Sequence, residues 1–145
     1  MRKQPRKIGL AIVGAGRVGL IRGELAARHP AVEWIGIAEK NPERAKLVAG
    51  KVGAEFVTAD FRELIERQEV TAAVISTDEH LHVDPVLACV ARGLPMMIEK
   101  PLATDLAESQ MVMDAIEKSG VDAVIGYTQR RRILDRKSTR LNSSH

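Results

Sequence analysis

Short apolar runs alternate with stretches of helical period from one end of this chain to the other. The alternation predicts βαβ units, whose parallel strands are buried on both faces and are therefore apolar at nearly every position. The composition agrees, because 45% of the residues are hydrophobic and only 3% are aromatic, which leaves Ala, Val, Ile and Leu to build the core. We therefore predict one α/β domain with a doubly wound parallel sheet.

Six strands and five helices are predicted from the two periods. The strands are residues 8–13, 32–38, 55–57, 72–76, 95–98 and 121–126, and the helices are residues 17–28, 42–52, 60–67, 81–92 and 104–119. Asn41, Asp60 and Thr104 are of the types that cap helix N-termini, and each stands at the start of a predicted helix. Three glycines follow predicted helix ends, where a left-handed residue is favoured: Gly53, Gly93 and Gly120.

The turn between the first strand and the first helix has the spacing Gly-x-Gly-x-x-Gly, as Gly14-Ala15-Gly16-Arg17-Val18-Gly19. In a dinucleotide-binding turn, the first glycine permits the tight turn, the second admits a pyrophosphate close to the backbone, and the third lets the helix pack against the strand. The amides of Arg17 and Val18 then point at phosphate from the helix N-terminus. This context predicts the Rossmann strand order 3-2-1-4-5-6, and a tight turn that binds nothing is the alternative.

Glu39 ends the second predicted strand, twenty residues after Gly19. At this place a carboxylate accepts the hydroxyls of the adenosine ribose and repels a 2′-phosphate, so the sequence favours NAD over NADP as the cofactor. Lys40 beside it weakens this preference, because a flexible cation could receive the phosphate. A charged residue that merely ends a strand is the alternative.

Glu99-Lys100-Pro101 follow the fifth predicted strand, where a lysine faces the crevice in which open α/β sheets bind ligands. The segment IEKPLATDLAES is similar to the EKP segment of the Gfo/Idh/MocA oxidoreductases. The stretch STDEHLHVDPVLACVARGLPMM resembles the run of that family from its fourth strand through the next helix, and VIGYTQRR resembles its sixth strand and the turn after it. The resemblance covers residues 7–132.

The resemblance implies an N-terminal NAD(P)-binding Rossmann domain and a second α+β substrate domain that this chain lacks. It implies reversible hydride transfer between nicotinamide and a secondary alcohol of a sugar, inositol or related polyol. Lys100 would hydrogen-bond the reacting oxygen and share its proton as the catalytic residue, and the Lys100–Pro101 peptide would be cis. The general base and the contacts of a homo-oligomer would belong to the second domain, so we expect this chain alone to turn over little or no substrate.

Thr77, His82, Glu99 and Lys100 are carried over from the family as cofactor-binding residues. His82 matches a histidine that the family places near the nicotinamide, and we expect a capping or positioning role for it. We expect no metal, because His80 and His82 have no carboxylate or cysteine at ligand spacing. Many relatives read Thr-Pro-Asn where this chain has Thr-Asp-Glu, so only the threonine is carried over from that stretch.

The charge of the chain is concentrated at its end. Removing residues 135–145 lowers the formal net charge from +3 to +1, so the basic pI of 9.2 does not indicate a nucleic-acid partner. The same residues lack apolar periodicity and resemble the translation of a sequencing adapter. We therefore predict an NAD(P)-binding domain over residues 1–134 and a non-native tail over residues 135–145, with a disordered polar tail as the alternative.

The sequence also bears on the compartment. A single cysteine, Cys89, allows no internal disulfide framework and fits a reducing compartment. No apolar stretch reaches the roughly 18 residues of a membrane span, and a strand that enters a turn explains residues 8–16 better than a signal peptide does. We therefore expect a cytoplasmic protein without a membrane partner.

Two other function classes fit part of the pattern. A non-catalytic dinucleotide sensor would keep the glycine turn and Glu39 but would have no use for Lys100. A methyltransferase that binds S-adenosylmethionine also places glycines after its first strand and an acid after its second, but Gly19 and the EKP segment count against it. Fold alone does not decide among them, so the weight rests on Lys100 and its neighbours.

Overall fold

The computed structural model describes residues 7–126. In chain order they form β1 (Ile8–Val13), α1 (Arg17–Arg28), β2 (Val32–Ala38), α2 (Pro42–Val52), β3 (Phe56–Thr58), α3 (Phe61–Ile65), β4 (Ala72–Ile75), a 3-10 turn (Glu79–Leu81), α4 (Val83–Ala91), β5 (Met96–Glu99), α5 (Leu106–Ser119) and β6 (Ala123–Gly126). The described strands make one parallel sheet in the order β3-β2-β1-β4-β5-β6. The predicted fold and strand order are confirmed. The predicted boundary at residue 134 and the tail after it lie outside the described residues.

Helices cover both faces of this sheet, and β1 contributes alternate side chains to the two cores. Leu10 and Ile12 pack with Val48 of α2 in one core. Ala11 packs with Val86 of α4 in the other core. Because both of its faces are buried, the strand reads as a continuous apolar run. Within the part of the chain that the structure describes, no helix is both long and apolar enough to cross a membrane.

Helix ends follow the predicted signals at α2 and α3. The Asn41 side chain accepts a hydrogen bond from the N–H of Arg44 at 3.2 Å, and Asp60 accepts one from the N–H of Arg62 at 2.9 Å. Each of these bonds gives a partner to an amide that the first turn of a helix leaves without one. Three glycines after helix ends have left-handed backbones: Gly53, Gly93 and Gly120.

The N-terminus of α5 corrects one prediction. The cap is Asp105 and not Thr104, because the Asp105 carboxylate accepts a hydrogen bond from the N–H of Glu108 at 2.7 Å. The Thr104 hydroxyl donates instead to the carboxylate of Glu108 at 3.1 Å. Both residue types are suitable caps. Asp105 takes the role because it lies three positions before Glu108, whose main-chain N–H needs an acceptor.

The start of α4 also differs from the prediction. The helix was expected from residue 81 but begins at Val83, after a separate 3-10 turn. Pro85 explains the difference, because a helix that began at residue 81 would need an N–H at its fifth position. Beginning at Val83 puts the proline in the first turn, where a missing donor costs no intrahelical bond. The helix α3 is likewise shorter than predicted and ends at Ile65.

Cys89 lies in α4 and is fully enclosed by the core. Burial raises the pKa of its thiol to about 12, and the nearby Arg92 guanidinium only partly opposes this. The thiol therefore stays protonated at neutral pH and packs as a small apolar group.

The carboxyl ends of the strands meet at one edge, where the winding reverses between β1 and β4. We call this junction the β1–β4 seam. The N–H of Gly14, just after β1, donates to the Ala38 carbonyl of β2 at 2.8 Å. The N–H of Ser76, just after β4, donates to the Val13 carbonyl of β1 at 2.8 Å. Open α/β sheets bind ligands outside such a switch point, which makes this edge the candidate functional site.

Candidate dinucleotide-binding site

The glycine turn after β1 has the conformation that its sequence predicts. Gly14 has φ +92°, and a Cβ atom on it would lie 2.5 Å from the Thr77 nitrogen. A Cβ atom on Gly19 would collide with the carbonyl oxygen of Gly14, so α1 packs directly on the turn. The Ser76 hydroxyl holds the same carbonyl with a hydrogen bond of 2.7 Å. The first and third glycines are therefore required by the fold itself.

Gly16 differs from these two glycines because there is open space where a side chain on it would lie. A Cβ atom there would meet only the Arg44 guanidinium within 4 Å, at 3.9 Å. Gly16 is also the N-cap of α1 and offers no side-chain acceptor to the first amides of the helix. The amides of Arg17 and Val18 thus have no intrahelical acceptor, while the side chains of both residues are exposed. The arrangement suits an anion bound by main-chain N–H groups.

A cleft of about 230 Å³ opens over the carboxyl ends of β1, β2 and β4. It brings together four of the predicted site residues, which are Gly14, Gly16, Glu39 and Thr77. The hydroxyl oxygen of Thr77 is buried and has no hydrogen-bond partner among residues 7–126. Because a buried polar atom without a partner is costly, this hydroxyl is suited to meet a ligand.

Glu39 is held at the rim of this cleft by two donors. Its carboxylate accepts the main-chain N–H of Lys40 at 3.1 Å and the Arg44 guanidinium at 3.0 Å. Arg44 belongs to none of the motifs recognised in the sequence. The Asn41 cap gave a signal for it, since a cap at residue 41 places residue 44 in the first turn, beside the end of β2.

His82 is a brace between two loops. Its ring is 1% exposed, with Nδ1 2.8 Å from the Pro101 carbonyl oxygen and Nε2 2.9 Å from the Thr77 carbonyl oxygen. A neutral imidazole carries one N–H, so both contacts are hydrogen bonds at once only when the ring is doubly protonated. His82 is the N-cap residue of α4, but its side chain makes no cap bond, so of the predicted capping or positioning role the geometry agrees with positioning.

Glu99, the last residue of β5, and Lys100, which follows it, lie in different surroundings. The Glu99 carboxylate accepts a hydrogen bond from Nε of Arg22 in α1 at 2.9 Å and forms an ion pair with the same guanidinium, 2.8 Å from its Nη2. The cleft lining does not include Glu99, so its predicted contact with the cofactor stays a prediction. Lys100 is exposed, and its peptide bond to Pro101 is cis, as the resemblance implies. The cleft described above does not include Lys100 either.

Lys100 is nevertheless connected to the cleft through His82. The Pro101 carbonyl, one residue after the lysine, contacts one ring nitrogen, and the carbonyl of the cleft residue Thr77 contacts the other. The two loops that the ring joins follow the adjacent strands β4 and β5. Within residues 7–126, no group of three or more His, Cys, Asp or Glu side chains is arranged to hold a metal ion.

The fold, the glycine turn and the acid after β2 define a dinucleotide-binding Rossmann domain. The family model for Gfo/Idh/MocA proteins, described as "Oxidoreductase family, NAD-binding Rossmann fold", matches residues 8–127. The chain therefore belongs to the Gfo/Idh/MocA family.

Known proteins of similar sequence are dehydrogenases and a catabolic protein. The rhizopine catabolism protein MocA of Rhizobium meliloti is 35% identical over 83% of this chain and 38% of its own length. An inositol 2-dehydrogenase of Rubrobacter xylanophilus is 33% identical over 90% of this chain and 38% of its own length. A solved levoglucosan dehydrogenase in complex with NADH superposes with a TM-score of 0.80, at 28% identity over 87% of this chain and 36% of that one. The chain thus spans little more than a third of the length of these relatives.

Proposed function

We propose that this chain is the cofactor-binding part of an NAD-dependent dehydrogenase acting on a secondary alcohol of a sugar- or inositol-type substrate. The observation that carries the proposal is one edge of the sheet, where the glycine turn, Glu39 and Thr77 line a single cleft. Lys100 follows β5, which is separated from β1 by β4, and so lies at the same edge of the sheet. Relatives named as inositol and levoglucosan dehydrogenases support the substrate class.

The residues of the cleft fit a dinucleotide. The open room over Gly16 leaves space for a pyrophosphate against the main-chain N–H groups of Arg17 and Val18. The Glu39 carboxylate stands where the adenosine ribose hydroxyls would donate to it. The Thr77 hydroxyl, which has no partner within the described part of the chain, would gain one. The negative charge of Glu39 favours NAD over NADP, since a 2′-phosphate beside a carboxylate is repelled.

Lys100 supplies the chemistry that the protein adds at the substrate. NAD, when bound, provides the nicotinamide ring that accepts or returns the hydride. Lys100 is exposed and follows β5, the strand beside β4, and its ammonium would donate a hydrogen bond to the reacting oxygen and share its proton. His82 supports this lysine by holding the Pro101 carbonyl against the loop after β4.

The other parts of the proposal concern the longer protein. The general base, the substrate-selecting loops and the contacts of a homo-oligomer would lie beyond this chain, which spans little more than a third of its relatives. We further propose residues 1–134 as the domain, residues 135–145 as a non-native tail, and a cytoplasmic location with a small-molecule substrate and neither membrane nor nucleic acid as a partner.

Titration calorimetry of this chain with NAD tests the proposal. Gly16→Val should keep the fold, because Gly16 has an extended backbone and open room above it. The same change should weaken NAD binding about tenfold or more, since a side chain there obstructs charge-assisted bonds to phosphate. Gly50→Ala is the matched control, because a Cβ atom there meets nothing within 4 Å. Equal NAD affinity of the Gly16→Val variant and the native chain would exclude a pyrophosphate at this turn.

A further inference from the structure

Arg22 and Glu99 form a partly buried ion pair next to Lys100 in the chain. Two guanidinium nitrogens contact the same carboxylate oxygen, since Nε lies 2.9 Å and Nη2 lies 2.8 Å from Glu99 Oε1. The two side chains are 21% and 13% exposed, so solvent screens this pair less than it screens an ion pair at the surface. A charge-assisted contact in such surroundings holds both side chains in a defined orientation.

The pair joins three elements at the carboxyl edge of the sheet. Arg22 belongs to α1 and Glu99 ends β5, where it pairs in register with Gly126 of β6. A Cβ atom on Gly126 would lie 3.1 Å from Arg22 Nη2 and 3.1 Å from Glu99 Oε1. The glycine therefore leaves room for the pair, and the pair fixes the end of β5 to α1.

The helix that supplies Arg22 is also the helix whose first amides suit a phosphate. Arg22 lies about one helical turn after Val18, whose N–H is one of the two proposed to hold the pyrophosphate. Glu99 directly precedes Lys100, whose ammonium is proposed to act on the reacting oxygen. The ion pair thus connects the place of the lysine to the place of the phosphates through one rigid helix.

We propose that Arg22 is a positioning residue for Lys100, acting through Glu99. The inference rests on the proposed function of this chain as an NAD-binding part of a dehydrogenase. With the pair intact, the end of β5 is fixed relative to the bound dinucleotide, and the amine of Lys100 stays at the nicotinamide. Without the pair, this end of the strand loses its contact with α1, and the amine spends part of its time elsewhere. Glu99 then serves the site by holding Arg22 and not by contacting the cofactor.

Acetylation of the lysines of this chain, with and without NAD, tests the inference without requiring turnover. Mass spectrometry of peptides gives the rate at each lysine. Saturating NAD should slow acetylation of Lys100 about fivefold or more in the native chain, because the bound nicotinamide covers the amine. Lys40 lines the cleft, so its protection reports that NAD is bound. Lys118, which is exposed in the last turn of α5, is the unprotected reference.

Arg22→Gln should reduce the protection of Lys100 to less than about twofold, the limit for an amine that is away from the nicotinamide half of the time. The protection of Lys40 should persist, and NAD affinity measured by calorimetry should change by less than about threefold, because the cleft and the glycine turn are unaltered. Arg22→Lys, which keeps the charge but not the planar fork, should restore part of the protection. Arg28→Gln, which changes an exposed arginine in the last turn of α1, is the matched control and should keep all of it.

Glu99→Gln tests whether the two residues act as a unit. It should reduce the protection of Lys100 as much as Arg22→Gln does, and the double variant should reduce it no further, because either change removes the same contact. The double variant leaves neither charge behind, so it keeps the test available if a single variant fails to fold. Circular dichroism spectra of all variants check that they are folded.

Equal protection of Lys100 in the native chain and in the folded Arg22→Gln variant would overturn the inference and leave the pair a stabilising contact only. Loss of NAD binding in Arg22→Gln, or in Glu99→Gln alone, would also contradict it, because the changed residue would then act on the cofactor itself. A native chain that binds NAD without protecting Lys100 would refute the proposed role of the lysine, and the inference with it. A native chain that binds no NAD would instead refute the proposed dinucleotide site.

Discussion

Removing the His82 ring should destabilise this domain strongly, although the residue lies outside every helix interior and strand. His82→Ala removes the ring whose two nitrogens lie 2.9 Å from the Thr77 carbonyl oxygen and 2.8 Å from the Pro101 carbonyl oxygen, so that at least one of these carbonyls loses its N–H donor. A buried carbonyl without a partner costs about 1–3 kcal/mol. The emptied ring volume adds a packing penalty of about 1–2 kcal/mol. We therefore expect a loss of about 2–5 kcal/mol in the free energy of unfolding, a large part of what a small domain has.

Urea unfolding followed by circular dichroism measures this loss. His82→Gln, whose amide can still donate to one carbonyl, should recover part of it. His80→Ala is the matched control, because this histidine is exposed on the 3-10 turn two residues earlier and should change stability by less than about 0.5 kcal/mol. If the His82→Ala variant unfolds at the same urea concentration as the His80→Ala variant, the brace has no energetic role and the argument fails.

Two further predictions concern α5 and the buried thiol. Asp105→Ala should lower the free energy of unfolding by about 0.5–2 kcal/mol, because it removes the α5 cap. Thr104→Ala should lower it by less. Thermal unfolding measures both changes, and the reverse order would contradict the assigned cap. Since the folded pKa of Cys89 is raised from 9.0 to about 12, the thiol stabilises the fold below pH 9 and this contribution is lost as the pH rises towards 12. Urea unfolding at about pH 8 and about pH 10.5 should therefore show a smaller alkaline loss in the Cys89→Ala variant than in the native chain, and equal losses would refute the assignment.

Much of the architecture could be read from local patterns. The central strands β1 and β4 are continuous apolar runs, and β1 shows why, since its alternate side chains enter opposite cores. The glycine turn could also be predicted from the sequence, because the positive φ of Gly14 and the close packing at Gly19 each require a residue without a side chain. Such features are encoded within a few residues, so a single sequence is enough to predict them.

The contacts that complete the site were less accessible to sequence reasoning. Arg22 and Glu99 are 77 positions apart, and no local spacing joins them. The brace at His82 depends on two loops that become neighbours only because β4 and β5 pair in the sheet. The resemblance placed His82 near the cofactor, but only the folded structure shows that backbone carbonyls take both of its ring nitrogens.

The predicted helix starts were wrong where two local preferences competed. Thr104 and Asp105 are both good caps, and the choice depended on which side chain reached the Glu108 amide. At α4 the periodic pattern extended further than Pro85 allows, because periodicity records which side chains are buried and not which amides have acceptors. These are differences of one or two residues that leave the site in place.

The cleft takes its walls from both winding halves of the sheet, since Gly14 and Glu39 precede the β1–β4 seam in the chain and Thr77 follows it. A molecule bound there touches both halves, and its binding free energy opposes their separation. A higher cofactor concentration should therefore stabilise the folded chain against opening. Amide hydrogens in β1 and β4 should exchange with solvent more slowly as the cleft fills.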